Sequence, residues 1–192
     1  MKLKHVLLAT ALTVSGMAHA DDTESLNHRL RVEVGAGILT AQSGRDFLGK
    51  SPLSVGGGYD LGRVAGGTWG LYVAGLYYNR GFEDDRRVFT TIERDVSAYG
   101  LQYRSRPTQQ GFYMGGGLGY YTVSSTMSTD LGNVVTSNIS DDSAWGSKVF
   151  VGKNLSKHFF LEAGYTHIRA LQLSTGPRRN MSHTTFFLGY RN

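Results

Sequence analysis

The sequence predicts an all-β chain: eight antiparallel strands, closed up-and-down into a membrane-spanning barrel. Three observations predict it. Apolar residues recur at period two and nowhere hold a helical period after residue 20. Gly is abundant (26 residues) and Tyr numerous (11), whereas Pro is scarce (3), which suits many strands and tight turns. The connections between the alternating segments are long and short in turn.

Each element can be read in order. MKLKHVLLATALTVSGMAHA opens the chain. Lys2 and Lys4 form a charged start, Val6 to Gly16 an apolar stretch, and Ala18-His19-Ala20 a small-residue cleavage site. The apolar stretch is too short to span a bilayer. Residues 1–20 are therefore expected to be a cleaved signal peptide, and 21–192 a single barrel domain. The formal charge is +5, of which Lys2 and Lys4 carry two. No basic block of nucleic-acid type occurs. With no cysteine, neither disulfides nor thiolate sites are available.

His28 to Thr40 sets Leu30, Val32, Val34, Ala36 and Ile38 against Arg29, Arg31 and Glu33. Pro52 to Leu61 sets Leu53, Val55, Tyr59 and Leu61 against Ser54 and Asp60. Trp69 to Tyr78 is apolar on both faces, so its orientation stays open. Asp95 to Arg104 sets Tyr99, Leu101 and Tyr103 against Ala98, Gln102 and Arg104. Phe112 to Val123 sets Phe112, Met114, Leu118 and Tyr120 against Gly115, Gly117 and Gly119. Trp145 to Lys153 sets Val149 and Val151 against Lys148. Phe159 to His167 sets Leu161 and Tyr165 against Glu162. The eighth strand is the tail, HTTFFLGYRN.

The connections Ala41–Lys50, Asn79–Thr91, Ser124–Ser143 and Leu171–Asn180 are expected to be long loops. Those near Gly62–Gly67, Ser105–Gln110 and Asn154–Lys157 are expected to be short turns. Transmembrane barrels have this asymmetry, with short periplasmic turns and longer external loops. A soluble, lipocalin-like ligand-binding barrel also alternates, with its apolar face inward, and is one alternative. Charges of both signs on the polar face favour the membrane. Arg31, Glu33, Lys148 and Glu162, with Asp60 and Arg104, can pair in a lumen that eight strands leave just filled by side chains. Such a lumen leaves no room for a wide porin channel. Aromatic pairs add support. Trp69 with Tyr77, and Phe112 with Tyr120, lie roughly 20 Å apart along the membrane normal, close to the separation of two aromatic girdles.

The tail resembles the C-terminal assembly signal of outer-membrane barrels. Phe186, Leu188 and Tyr190 match its alternate apolar positions, and Asn192 stands where that pattern has a terminal aromatic. The whole of 21–192 resembles the small eight-stranded outer-membrane proteins of the OmpA-transmembrane-domain, OmpX and NspA type. The resemblance implies an outer-membrane location in a Gram-negative cell envelope, contact with outer-membrane lipids and lipopolysaccharide, insertion by the barrel-assembly machinery, and a monomer. It implies no cofactor, no metal and no nucleic-acid partner.

Candidate site residues are few. Arg86-Arg87 and Arg178-Arg179 fall in long loops, where guanidinium forks fit lipopolysaccharide phosphates. Glu83-Asp84-Asp85 lacks the spacing of a calcium loop. MGGGLG (114–119) is followed by strand residues, so it is strand glycine and no nucleotide loop. LEAGYTHIRALQL (161–173) resembles the penultimate strand of lipid A 3-O-deacylases of the PagL type. The resemblance puts His167 at the base. Arg169 occupies the nucleophile position and Ala170 replaces an Asn; Ser174 and Ser182 are distant substitutes. No Asp or Glu follows Glu162 to orient a base. The expectation is a non-enzymatic barrel serving envelope integrity or surface and lipopolysaccharide contact. The main alternative is a lipid A-modifying acyl hydrolase using His167.

Overall fold

The computed structural model describes residues 30–48, 51–64, 66–83, 89–130, 135–168 and 179–192. Residues 1–29, with the expected signal peptide, lie outside them. Eight strands close into a barrel in chain order. They are β1 (Leu30–Leu39), β2 (Leu53–Val64), β3 (Gly67–Glu83), β4 (Phe89–Ser105), β5 (Phe112–Asp130), β6 (Val135–Asn154), β7 (Phe159–Ile168) and β8 (His183–Arg191). A short helix, α1 (Gln42–Leu48), follows β1. All neighbours are antiparallel, and β8 pairs back to β1 from Leu39↔His183 to Arg31↔Arg191. Closure satisfies both edges of every strand, which a lipid environment would require.

The period-two faces follow. Val34, Leu118 and Trp145 are 52%, 66% and 71% exposed, whereas Arg31, Glu33, Asp60, Arg104 and Glu162 are buried. The apolar face is therefore outside, the inverse of a lipocalin-like barrel. The open orientation of Trp69–Tyr78 resolves the same way. Trp69, Leu71 and Val73 face out; Tyr72 and Leu76 face in. Among the described residues no helix is long and apolar enough to cross a membrane; the strands would do so.

Glycine makes the lumen possible. A Cβ on Gly56 would stand 2.5 Å from Glu33 Oε1, and one on Gly58 would stand 3.0 Å from Arg31 Nη2. Tyr72 lies in the same way on Gly119, Tyr113 on Gly152 and Phe160 on Gly189. Each of these large inward side chains has a glycine beneath it. At the short turns, Gly66 and Gly111 adopt positive φ (78° and 83°), which glycine takes without steric cost.

Two expected loops are corrected. Most of Asn79–Thr91 and Ser124–Ser143 is strand. β3 leaves β2 after Leu53↔Tyr77 but stays paired with β4 up to Glu83↔Phe89. β6 leaves β7 at Gly146↔Ile168 but stays paired with β5 up to Asp130↔Val135. Strands β3–β6 have 17 to 20 residues, against 10, 10 and 9 in β1, β7 and β8. The barrel therefore has one tall wall and one low wall. The extension is rich in Ser and Thr, whose pairing satisfies the backbone without burying an apolar face. Thr90 Oγ1 and Thr129 Oγ1, for example, face each other at 3.5 Å.

Candidate functional site

The lumen is layered along the barrel. Nearest the short turns, Arg104 pairs with Asp60. Next, Arg31 Nη1 stands 3.6 Å from Glu162 Oε2, and Tyr113 Oη donates to the same oxygen at 3.2 Å. The Arg31 guanidinium also lies over the Phe160 ring at 5.7 Å. Above them Lys148 Nζ stands over the rings of Tyr72 (4.2 Å) and Phe150 (5.0 Å). Glu33 Oε2 has no hydrogen-bond partner among the described residues. A cavity of about 30 Å³ lies between Glu33, Lys148, Glu162 and Tyr72. Higher still, Tyr72 and Tyr121 share a hydroxyl hydrogen bond of 2.9 Å. Leu39, Leu76, Val96, Val123, Ile168 and Met181 then close the lumen with an apolar plug.

The low wall's rim is built from α1 and the segment leading into β8. The Thr40 amide and hydroxyl both donate to the Ser182 carbonyl, at 3.1 and 2.9 Å. Arg45 on α1 donates through Nη1 to the carbonyls of Leu39 (3.2 Å) and Thr40 (2.9 Å), and through Nη2 to Gln42 Oε1 (3.3 Å). Arg179 Nη1 donates to the Ser43 carbonyl at 3.4 Å, and the Asn180 amide donates to Ser43 Oγ at 3.3 Å. Across the mouth, Arg94 shares its parity with the inward-facing Val96 and Ala98 of the tall wall. It lies one position beyond the Tyr77↔Asp95 pair and close enough to Arg179 for the two charges to repel.

The structure thus adds Arg94 and Arg45 to the expected Arg179. Arg86, Arg87 and Arg178 lie outside the described residues. Strand parity was the available signal for Arg94. Arg45 carried none, because a helix of 7 residues is too short to show a period.

His167 lies on the outer face of β7. Ser182 is not distant from it: Ser182 Oγ and His167 Nδ1 are 3.3 Å apart. The same Oγ accepts the amide N–H of Ile168 at 3.2 Å, and Ser182 is fully buried. The buried hydroxyl thus ties the end of β7 to the segment leading into β8. Arg169 lies outside the described residues. Among the described residues no group of three or more His, Asp or Glu gathers as a metal site. Phe186, Leu188 and Tyr190 project outward from the closing strand. Tyr190 stacks on His158 at 5.6 Å and meets Phe159 edge-on at 5.5 Å.

No family model and no curated protein matches the chain. Solved structures do. The attachment invasion locus protein Ail of Yersinia pestis, in complex with the heparin analogue sucrose octasulfate, aligns with 87% of this chain and 100% of its own (15% identity, TM-score 0.53). Neisserial surface protein A aligns with 88% and 98% (14%, 0.47), and the outer membrane protease OmpT from Escherichia coli with 89% and 99% (10%, 0.41). The fold is that of the small outer-membrane barrels.

Proposed function

We propose that this chain is an integral, non-enzymatic outer-membrane protein whose external rim binds anionic saccharides through Arg45, Arg94 and Arg179. The phosphorylated core of lipopolysaccharide is the nearest such partner. The observation that carries the reading is the build of the rim, where hydrogen bonds to the carbonyls of Leu39, Thr40 and Ser43 hold Arg45 and Arg179 and the Arg179 charge acts on Arg94. Two guanidiniums held near each other repel, and an anion between them relieves that repulsion. Arg86, Arg87 and Arg178 are proposed to extend the same rim. The sulfated sugar held by Ail, a barrel of the same fold, supports a polyanion as ligand. The apolar exterior and the paired loops and turns support the outer membrane, with export by residues 1–20, insertion by the barrel-assembly machinery and a monomeric state. Surface attachment or envelope integrity would be the cellular result.

Two measurements test this. In fractionation, the protein should sediment with the outer membrane and run faster unheated than boiled. Recovery as a soluble periplasmic species would overturn the location. In nanodiscs, Arg94→Gln with Arg179→Gln should weaken binding of lipopolysaccharide and of sucrose octasulfate roughly tenfold or more, as loss of charged hydrogen bonds implies. Binding that is unchanged, or insensitive to salt, would overturn the rim as the site.

A further inference from the structure

The opposite end of the barrel carries its own charge pattern. Leu61 to Thr68, Arg104 to Phe112 and Gly152 to Phe160 contain no Asp or Glu. They carry Arg63, Arg106, Lys153 and Lys157, and β8 adds Arg191 beside them. The nearest acid, Asp60, is inside the barrel and paired with Arg104. The other end mixes signs: Glu93, Asp95 and Asp142 share it with Arg45, Arg94 and Arg179. Asp21, Asp22 and Glu24 precede β1, outside the described residues.

The backbone that carries these cations is held in place. The Arg106 amide donates to the Gly66 carbonyl (2.9 Å), joining the first turn to the second. The Asn154 amide donates to the Gly111 carbonyl (2.9 Å), joining the second to the third. Arg191 Nε donates to the Lys157 carbonyl (3.1 Å), and the Arg191 amide to the His158 carbonyl (2.8 Å), joining the third turn to β8. One chain of hydrogen bonds therefore runs along the short-turn rim.

Lys153 says which partner this belt faces. It projects from the lipid-facing side of β6, with Nζ 5.0 Å from the ring centre of Phe112 on β5. An ammonium above an interfacial aromatic ring, on an outward face, extends to the headgroup level while its stem stays in hydrocarbon. Trp69, packed on Tyr103 at 5.4 Å, marks the same interface beside Arg63.

We infer that the belt of Arg63, Arg106, Lys153, Lys157 and Arg191 binds the phosphates of anionic phospholipids in the inner leaflet of the outer membrane. The inference rests on the outer-membrane reading, which puts the short turns in the periplasm. A cation near an anionic leaflet favours association about fivefold, so several together select an anionic lipid over a zwitterionic one.

The chain has two Trp residues, and Trp145→Phe leaves Trp69 as the sole reporter at this rim. The protein is reconstituted in phosphatidylcholine vesicles containing brominated phosphatidylglycerol or brominated phosphatidylcholine. The expected result is severalfold preferential quenching of Trp69 by the brominated phosphatidylglycerol, declining with salt. Arg106→Gln, Lys153→Gln and Lys157→Gln together should abolish the preference, while Arg94→Gln with Arg179→Gln should keep it. Heat-modifiable mobility confirms that each variant is folded. Equal quenching by the two lipids in protein that floats with the vesicles overturns the inference alone. Failure to float overturns the membrane reading as well. Loss of the preference in inorganic phosphate, but not in chloride of equal ionic strength, would assign the belt to free phosphate. Sedimentation with peptidoglycan sacculi, abolished in the triple variant and unaccompanied by a lipid preference, would assign it to the cell wall. Either result would overturn the inference.

Discussion

The two halves of the lumen are filled by opposite means. The half near the short turns is charged: Arg31, Glu33, Asp60, Arg104, Lys148 and Glu162 share it with Tyr113 and Phe160. The half near the mouth is apolar: Leu39, Leu76, Val96, Val123, Ile168 and Met181. Both are tightly filled, yet they respond differently to loss. An apolar layer loses packing in proportion to what is removed. A charged layer is satisfied only as a set, so removing one member leaves another buried without its partner. The charged half is therefore the more brittle one, and the apolar half the more graded.

The largest expected effect is at Glu162. It accepts from Tyr113 and faces Arg31, so Glu162→Ala takes the ion-pair partner from a buried guanidinium. The expected cost is about 3–5 kcal/mol, read as a lower urea midpoint in lipid vesicles. Arg31→Met combined with Glu162→Met should recover most of it, because replacing both partners of a buried pair with apolar groups removes the unmatched charge. A neutral Glu162→Ala would place that carboxylate in water and end the contrast between the halves.

Next comes Leu76, fully inward in the apolar half. Leu76→Ala should cost about 2–4 kcal/mol through lost burial and the space left behind. Its loss should not depend on salt. A salt-dependent loss at Leu76 would mean that the plug is wetted from the mouth.

The faces were legible in the sequence because lipid and lumen demand opposite residues at alternate positions. Leu161 beside Glu162, and Val149 beside Lys148, state the two environments within one dipeptide. Single cysteines in place of Leu161 and Glu162 would check this: a lipid-soluble thiol probe should label the first and spare the second. Beyond the rim that demand ends. Residues 79–83 and 124–130 carry no alternating apolar stripe in the sequence, so their strand reads as loop. The mouth was half legible. Arg94 shared the parity of Val96 and Ala98, but its approach to Arg179 depends on how the chain returns to β8. The contact between His167 and Ser182 depends on the same return, and no local pattern encodes it.

That contact sharpens the comparison from the apolar side. Ser182 is a polar group set beside Ile168 and Met181, at the top of the apolar half. It is tolerated because its hydroxyl oxygen accepts the Ile168 amide and its proton is available to His167. The two partners are unequal. His167 is exposed and can exchange Ser182 for water, so His167→Ala should cost less than about 1 kcal/mol. Ser182→Ala instead strips the Ile168 amide of an acceptor in a dry site, which costs about 1–3 kcal/mol. Urea midpoints in vesicles should therefore fall further for Ser182→Ala than for His167→Ala. Wild type and both variants should release no fatty acid from purified lipid A, because the buried hydroxyl admits no acyl ester. Release by the wild-type protein that disappears in both variants would show that Ser182 becomes exposed in the bilayer. The pair would then be a working base and nucleophile, and the apolar half would open at its rim.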